Sequence, residues 1–355
     1  VIMSMMLDTA VKNSDKNKGG VCGVVLAPTR ELASQIEREL TILVTCLSSS
    51  SSSSSKQQQQ VKVVAVYGGI DRQDQMEWLC SSKKKSMLVT ATPGRLVDLI
   101  REKRVQKALS NSVVRMVVLD EADRLATCSD MSKQVNEILK AIVSSSPTLT
   151  TRVCLYSATY PRSVKSKWND WVSKPRICIK VSTSATLTTA TSDNIDNDDD
   201  ERNKRKRGGG SMELARIPAH VTQSLEYCAT NDEKTKRVIM RLTNIRKGEI
   251  DAKARRKGLC IIFFNRIKTL QSMSKSLVKH HGMKCAELHG KQQQKLREQT
   301  MADFKSGKIP TLLATDVAAR GIHINNVEYI INHDFPETLD QYVHRCGRAG
   351  RNQKQ

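Results

Sequence analysis

The chain has 355 residues, enough for about two domains of roughly 150 residues with a substantial core in each. Lysine and arginine number 58 against 36 acids, a formal net charge of +22 that suits a polyanionic partner, although a merely soluble basic protein shows the same balance. Apolar residues make up 39% and aromatics only 4%, so the core must rest on Val, Ile, Leu, Ala and Met, as in parallel α/β layers, and base stacking on aromatic platforms is not expected to be the main binding mode.

Short apolar runs alternate with longer amphipathic ones along the chain. Val24 to Ala27, Val61 to Val66, Met87 to Thr90, Val114 to Leu119 and Val153 to Tyr156 are predicted to be buried strands, with helices over Glu31 to Leu43 and Met131 to Val143. The serine run Ser48 to Ser55, with Lys56 and Gln57 to Gln60, is expected to be a surface-loop insertion. A second low-complexity stretch, 182–215, passes from threonine and serine to the acidic Asp196 to Glu201, then Arg202 to Arg207 and Gly208 to Gly210. It is read as a flexible linker. Its basic part suits either a nuclear-localisation or nucleic-acid patch, or a solvated charge run. Beyond it, Leu259 to Phe264, Lys284 to Leu288, Thr311 to Ala314 and Glu328 to Asn332 are predicted strands, with helices over Lys268 to His280 and Gln294 to Phe304. This alternation predicts an α/β chain with two parallel-sheet domains, 1–181 and 216–355, whose ligands sit beyond the carboxyl ends of the strands.

The ten cysteines, Cys22, Cys80, Cys154, Cys260 and Cys346 among them, stand singly, without a C-x-x-C pair or a histidine at zinc spacing, and are read as buried thiols of a reducing compartment. No run of about 18 apolar residues is present, and the amino terminus lacks a secretion-signal layout, so a soluble cytosolic or nuclear protein without a membrane partner is expected. The first residue is Val1 rather than Met, which points to an excerpt of a longer sequence.

An apolar strand running into Asp120-Glu121-Ala122-Asp123 is the strongest chemical signal. Hydrated Mg²⁺ on a phosphate needs one or two carboxylates. Asp120 suits that task, and Glu121 suits activation of an attacking water. The string equally describes a strand end followed by a helix with acidic first-turn residues. At the other end of the chain, Arg348 and Arg351 are spaced to meet a γ-phosphate, or belong to a basic tail.

Together these residues resemble the DEAD-box RNA helicases of superfamily 2. Asp120 to Asp123 is that family's name motif, followed in register by Ser157-Ala158-Thr159. Pro28-Thr29-Arg30-Glu31-Leu32, Gly68-Gly69, Thr92-Pro93-Gly94-Arg95, Phe264, Gln294-x-x-Arg297, Ala314 to Gly321 and His344 to Arg351 complete the ordered set. The resemblance implies two RecA-like domains, ATP and Mg²⁺ as cofactors, and RNA as a sequence-nonspecific partner, with RNA–protein complexes or protein cofactors beside it. It implies that Asp120 and Glu121 hold the metal and that ATP is met by them with Gly321, His323, Arg348 and Arg351. RNA contacts are implied for Pro28, Thr29, Arg30, Gly69, Thr92, Pro93, Gly94, Arg95, Gln294, Arg297, Thr315, Asp316 and Arg320. Asp123, Ser157, Thr159 and His344 are implied to couple hydrolysis to strand separation. Taken singly, Thr29 and Thr92 also suit helix caps, and His344 suits a core histidine.

The chain departs from the family in two places. No G-x-x-x-x-G-K-[ST] phosphate loop occurs in the sequence, and only 27 residues precede Pro28 to accommodate both it and the adenine-binding motif that the family carries upstream. The expectations are either a fragment of an active helicase or a non-catalytic RNA-binding relative, with a first sheet weakened by loss of its central strand. His323 stands where the family usually has an aspartate against the ATP ribose, which implies altered nucleotide contact.

Overall fold

The computed structural model describes residues 20–50, 61–80, 86–144, 151–159, 162–172, 177–181, 187–191, 217, 221–247, 258–316 and 327–349. Two compact units are present: one comprises Val1–Ala27, Leu40–Val66 and Arg72–Ala215, the other Pro28–Glu39, Tyr67–Asp71 and Arg216–Gln355.

In the first unit, β1 (Gly20–Leu26), β2 (Lys62–Val66), β3 (Ser86–Ala91), β4 (Met116–Leu119) and β5 (Arg152–Leu155) lie parallel in the order β2-β3-β1-β4-β5. Every residue of β3 and β4 is buried, because inner strands of a parallel sheet are covered on both faces and need unbroken apolar runs. The outer strands β2 and β5 are only partly covered: burial alternates along β2, and no residue of β5 is fully buried. Among the described residues, β1 occupies the middle of this sheet and pairs with β3 on one side and β4 on the other.

The connections are α1 (Arg30–Ser50), whose residues up to Glu39 belong to the second unit, and α2 (Arg72–Cys80), α3 (Pro93–Ile100), α4 (Lys103–Ser110), α5 (Ala122–Thr127), α6 (Ser129–Ser144) and α7 (Arg162–Trp171). Two details differ from the sequence reading. Helix α1 continues through Ser50, taking up the first serines of the expected loop, since extending an established helix needs little further ordering. Leu187–Thr191, inside the expected linker, forms β7 and pairs antiparallel with β6 (Ile177–Val181), where its β-branched threonines suit a pleated strand.

The second unit contains α8 (Asn231–Lys247), β8 (Leu259–Phe264), α9 (Ile267–His281), β9 (Cys285–Leu288), α10 (Gln294–Lys305), β10 (Thr311–Thr315), β11 (Val327–Asn332) and α11 (Leu339–Cys346). Its parallel sheet has the order β11-β8-β10-β9. Along β8, Leu259, Ile261 and Phe263 pack with Met301 and Phe304 of α10, whereas Cys260, Ile262 and Phe264 pack with Leu242 of α8 and Leu270, Met273 and Leu277 of α9. Successive strand side chains point to opposite faces, so one strand feeds two core layers. Buried polar atoms are tied in as well: Arg246 donates to Gly258 O at 3.2 Å, Pro310 O at 2.8 Å and Thr311 Oγ1 at 2.6 Å.

Candidate active site

In the first unit, the predicted chemistry gathers at the carboxyl ends of β3, β4 and β5, where open parallel sheets bind ligands. Strand β4 ends at Leu119. Asp120 N–H donates to Leu26 O at 2.9 Å, which continues the ladder one residue further. Glu121 then adopts φ 47°, the sole left-handed non-glycine among the described residues. Its N–H donates to Asp120 Oδ1 at 3.0 Å, and its carbonyl accepts from Arg124 N and Leu125 N to start α5. Left-handed geometry costs a side-chain-bearing residue about 1–2 kcal/mol and persists at sites that use it. It leaves both Asp120 and Glu121 half-exposed at the sheet edge, while Ala122 and Asp123 are buried.

The segment after β5 locks onto this turn. Ala122 N–H donates to Tyr156 O, Ser157 Oγ accepts from Asp123 N–H at 3.3 Å, and Thr159 Oγ1 donates to Asp123 Oδ2 at 2.7 Å. Asp123 and Thr159 are both buried and Ser157 is exposed. After β3, Thr92 is the N-cap of α3, yet its hydroxyl makes no cap hydrogen bond, and Pro93 occupies the first turn. Gly94 is exposed, and Arg95 has a shielded Nη1 without a hydrogen-bond partner among the described residues.

Two adjacent carboxylates at a strand end supply hard oxygen donors and suit a water-rich Mg²⁺ shell. The donor set of Asp120 and Glu121 therefore fits that ion. The sequence lacks the glycine-rich phosphate loop.

In the second unit, the predicted residues divide. Thr29 is buried and its Oγ1 accepts from Leu32 N–H at 3.3 Å, so this hydroxyl serves as a cap for α1 rather than standing open. Arg30 is exposed, with its guanidinium lying over Gly68 and Gly69. A Cβ at these glycines would come within 2.9 and 3.0 Å of it, and Gly69 has φ +98°. Gln294 Nε2 donates to Glu298 Oε1 at 3.0 Å. Arg297 is buried, with Nη2 at 2.7 Å from Glu31 Oε1, and Thr315 is buried. His344 is half-buried and Arg348 buried on and just beyond α11. Arg320, Gly321, His323 and Arg351 lie outside the described residues.

Asp316, expected in an RNA groove, has both carboxylate oxygens bound by Arg345, whose Nε and Nη2 each lie 2.7 Å away. The sequence reading gave Arg345 no role. It is 1% exposed and also donates to Asn332 Oδ1, Asp334 O and Asn265 Oδ1, while its guanidinium lies 5.1 Å from the Phe263 ring centroid. A guanidinium has donors enough to join the ends of three strands to α11. The place of Arg345 between His344 and Cys346 is the sequence signal for this role. Beside it, Asp334 accepts from Asn265 N–H at 3.0 Å and stands 2.9 Å from His333 Nδ1. Burial pushes its carboxyl up. The bonds from His333 and Asn265 and the charges of His333 and Lys234 outweigh this and hold it at about 2.

The two parallel α/β sheets, one carrying an acidic strand end clasped by a Ser-Ala-Thr segment, define a chain of paired RecA-like units. Among solved structures, Mss116p bound to ssRNA and AMP-PNP shares the fold at a TM-score of 0.72 and 22% identity, covering 99% of this chain and 60% of that one. S. cerevisiae Dbp5 bound to RNA and ADP BeF3 does so at 0.69 and 21%, covering 99% and 72%. The DEAD/DEAH box helicase family model matches residues 2–166, and the helicase conserved C-terminal domain model matches residues 237–353. The probable ATP-dependent RNA helicase ddx5 of Dictyostelium discoideum is 32% identical over 343 residues, 97% of this chain and 40% of that protein. ATP-dependent RNA helicase DBP3 of Saccharomyces cerevisiae is 33% identical over 338 residues, 95% and 53% respectively. The chain belongs to the DEAD-box helicase family. It spans about half the length of the curated relatives it matches. Among the described residues, no helix is long and apolar enough to cross a membrane.

Proposed function

We propose that this chain carries the catalytic core of an ATP-dependent RNA helicase, hydrolysing Mg²⁺-bound ATP to unwind short RNA duplexes or remodel RNA–protein complexes. The observation that carries the reading is the turn at Asp120 to Asp123, where a left-handed Glu121 is held at the sheet edge and Asp123 is clasped by Thr159. Mg²⁺, held through water by Asp120 with Glu121 alongside, would neutralise developing phosphate charge. Glu121 orients the attacking water and accepts its proton, and Arg348 with Arg351 stabilises charge on the γ-phosphate. Gly321 and His323 complete the nucleotide contacts. Thr159 and Ser157 respond to movement of Asp123, which passes the state of the phosphate site to the segment after β5. His344 joins the same coupling.

RNA is held by its backbone, without base information, through Pro28, Arg30, Gly69, Thr92, Pro93, Gly94, Arg95, Gln294, Arg297, Thr315 and Arg320. Thr29 and Asp316 support that groove from beneath. The Mss116p and Dbp5 structures, each bound to RNA, support the choice of ligand. RNA as substrate places the protein's work inside the cell, in the nucleus, nucleolus or cytoplasm, with protein cofactors as further partners.

A second reading, an RNA-binding relative without turnover, is favoured by one observation, the absence of G-x-x-x-x-G-K-[ST] from the sequence. RNA-stimulated ATP hydrolysis by the 355-residue chain, with Glu121→Gln as background, separates the two. Hydrolysis above that background supports the enzyme. Hydrolysis equal to it, with RNA binding retained, supports the binding relative.

A further inference from the structure

Helix α9 differs from its neighbours in charge. From Asn265 to Ala286 the chain carries no aspartate or glutamate, whereas α8 and α10 mix both signs and use them in pairs, such as Arg237 with Glu233 within α8 and Asp303 of α10 with Lys308 just beyond it. Leu270, Met273 and Leu277 take the buried face of α9. The opposite face therefore presents Lys268, Ser272, Lys275 and Lys279, all exposed. The three lysines recur at i, i+7 and i+11, a single line about 16 Å long. Among the described residues none of their ammonium groups has an ion-pair or hydrogen-bond partner, and Lys284, also exposed, follows past the Gly282 cap. Because α9 leaves the carboxyl end of β8 and returns to the amino end of β9, the line starts at the edge that holds Asn265, Thr315 and Asp316 and runs to the opposite edge.

We propose that this lysine line is an accessory surface for the phosphate backbone of RNA, holding nucleic acid that extends beyond the strand-end groove. Unneutralised cations in a row complement a polyanion, and lysines acting as point charges suit sequence-blind contact. An acidic protein partner fits less well. Protein interfaces centre on aromatic and arginine anchors, and the large apolar side chain that α9 exposes is Val278. The choice of RNA rests on the function proposed above.

The test uses the full chain and a Lys268→Gln, Lys275→Gln, Lys279→Gln variant, with fluorescence anisotropy on uridine RNAs of about 10 and about 30 nucleotides over a salt series. The short RNA is expected to bind both proteins equally. The long RNA should bind the variant more weakly, with a slope of log K against log salt shallower by about 2, since each lost single-strand phosphate contact removes roughly 0.7. A matching Lys→Arg variant should retain the wild-type slope. Unchanged affinity and slope for the long RNA overturn the proposal alone. Equal weakening on both lengths also overturns it, by assigning the lysines to the groove. Failure of the wild-type chain to bind either RNA overturns this proposal and the proposed function together. Binding of polyglutamate as tight as that of the long RNA, lost in the variant, overturns it in favour of an acidic protein.

Discussion

Thr159 and Asp123 show how a residue-scale contact connects distant parts of the chain. A buried carboxylate that accepts a 2.7 Å bond from a threonine hydroxyl is destabilised when the hydroxyl is replaced by a methyl group. Thr159→Val is therefore expected to lower unfolding stability by about 1.5–3 kcal/mol, read from the denaturant midpoint. Under the proposed function, the same change should reduce duplex unwinding more than ATP hydrolysis. Thiols provide a second residue-scale check. Burial pushes Cys22 and Cys260 up to about 12, so both remain protonated near neutral pH, whereas Cys46 and Cys128 are exposed. Alkylation of the native chain at pH near 8 should mark Cys46 and Cys128 within minutes and spare Cys22 and Cys260 until denaturant is added. The cysteines read from the sequence as buried thiols thus split, since scattered spacing carries no information about exposure.

Among the elements, α11 depends on Arg345 as much as on its own Thr338–Gln341 capping box. Removing one partner of a buried ion pair strands the other. Arg345→Met is expected to cost about 3–5 kcal/mol in the denaturant midpoint of the second unit. Arg345→Lys should recover only part of that, because an ammonium cannot bridge both Asp316 oxygens and Asn265 with one geometry. Adding Asp316→Leu to Arg345→Met should restore more stability than lysine does. The end of α9 tests backbone alone. Gly282 has φ +58° with nothing within 4 Å of a built Cβ, so Gly282→Ala should destabilise by about 1 kcal/mol through conformation only. Gly282→Asn, which tolerates the left-handed region, should cost less.

For the whole molecule, acid should weaken the second unit through Asp334. Its folded carboxyl lies at about 2, below the ordinary 3.8, so its contribution is fully present above the ordinary value and is lost as pH falls from near 4 towards 2. Urea midpoints followed over that window should decline in the wild-type chain, and Asp334→Asn should flatten the decline. The sequence by itself determined the α/β class, most strand and helix positions and the location of the acidic turn. Each of these depends on local period, and an apolar run ending in Asp-Glu-Ala-Asp reads the same in any context. Its misses were at boundaries, where Ser48 to Ser50 joined α1 and Leu187–Thr191 became a strand, because helix extension and strand pairing depend on neighbours. Only the tertiary structure decided the strand orders, the capping use of the Thr29 hydroxyl and the capture of Asp316 by Arg345. It also decided the bond from Asp123 N–H to Ser157 and the bond from Thr159 to the Asp123 carboxylate, across 34 and 36 residues of chain. These contacts follow from which strands become neighbours, and hydrogen bonds between residues far apart in the chain leave no periodic trace in the sequence.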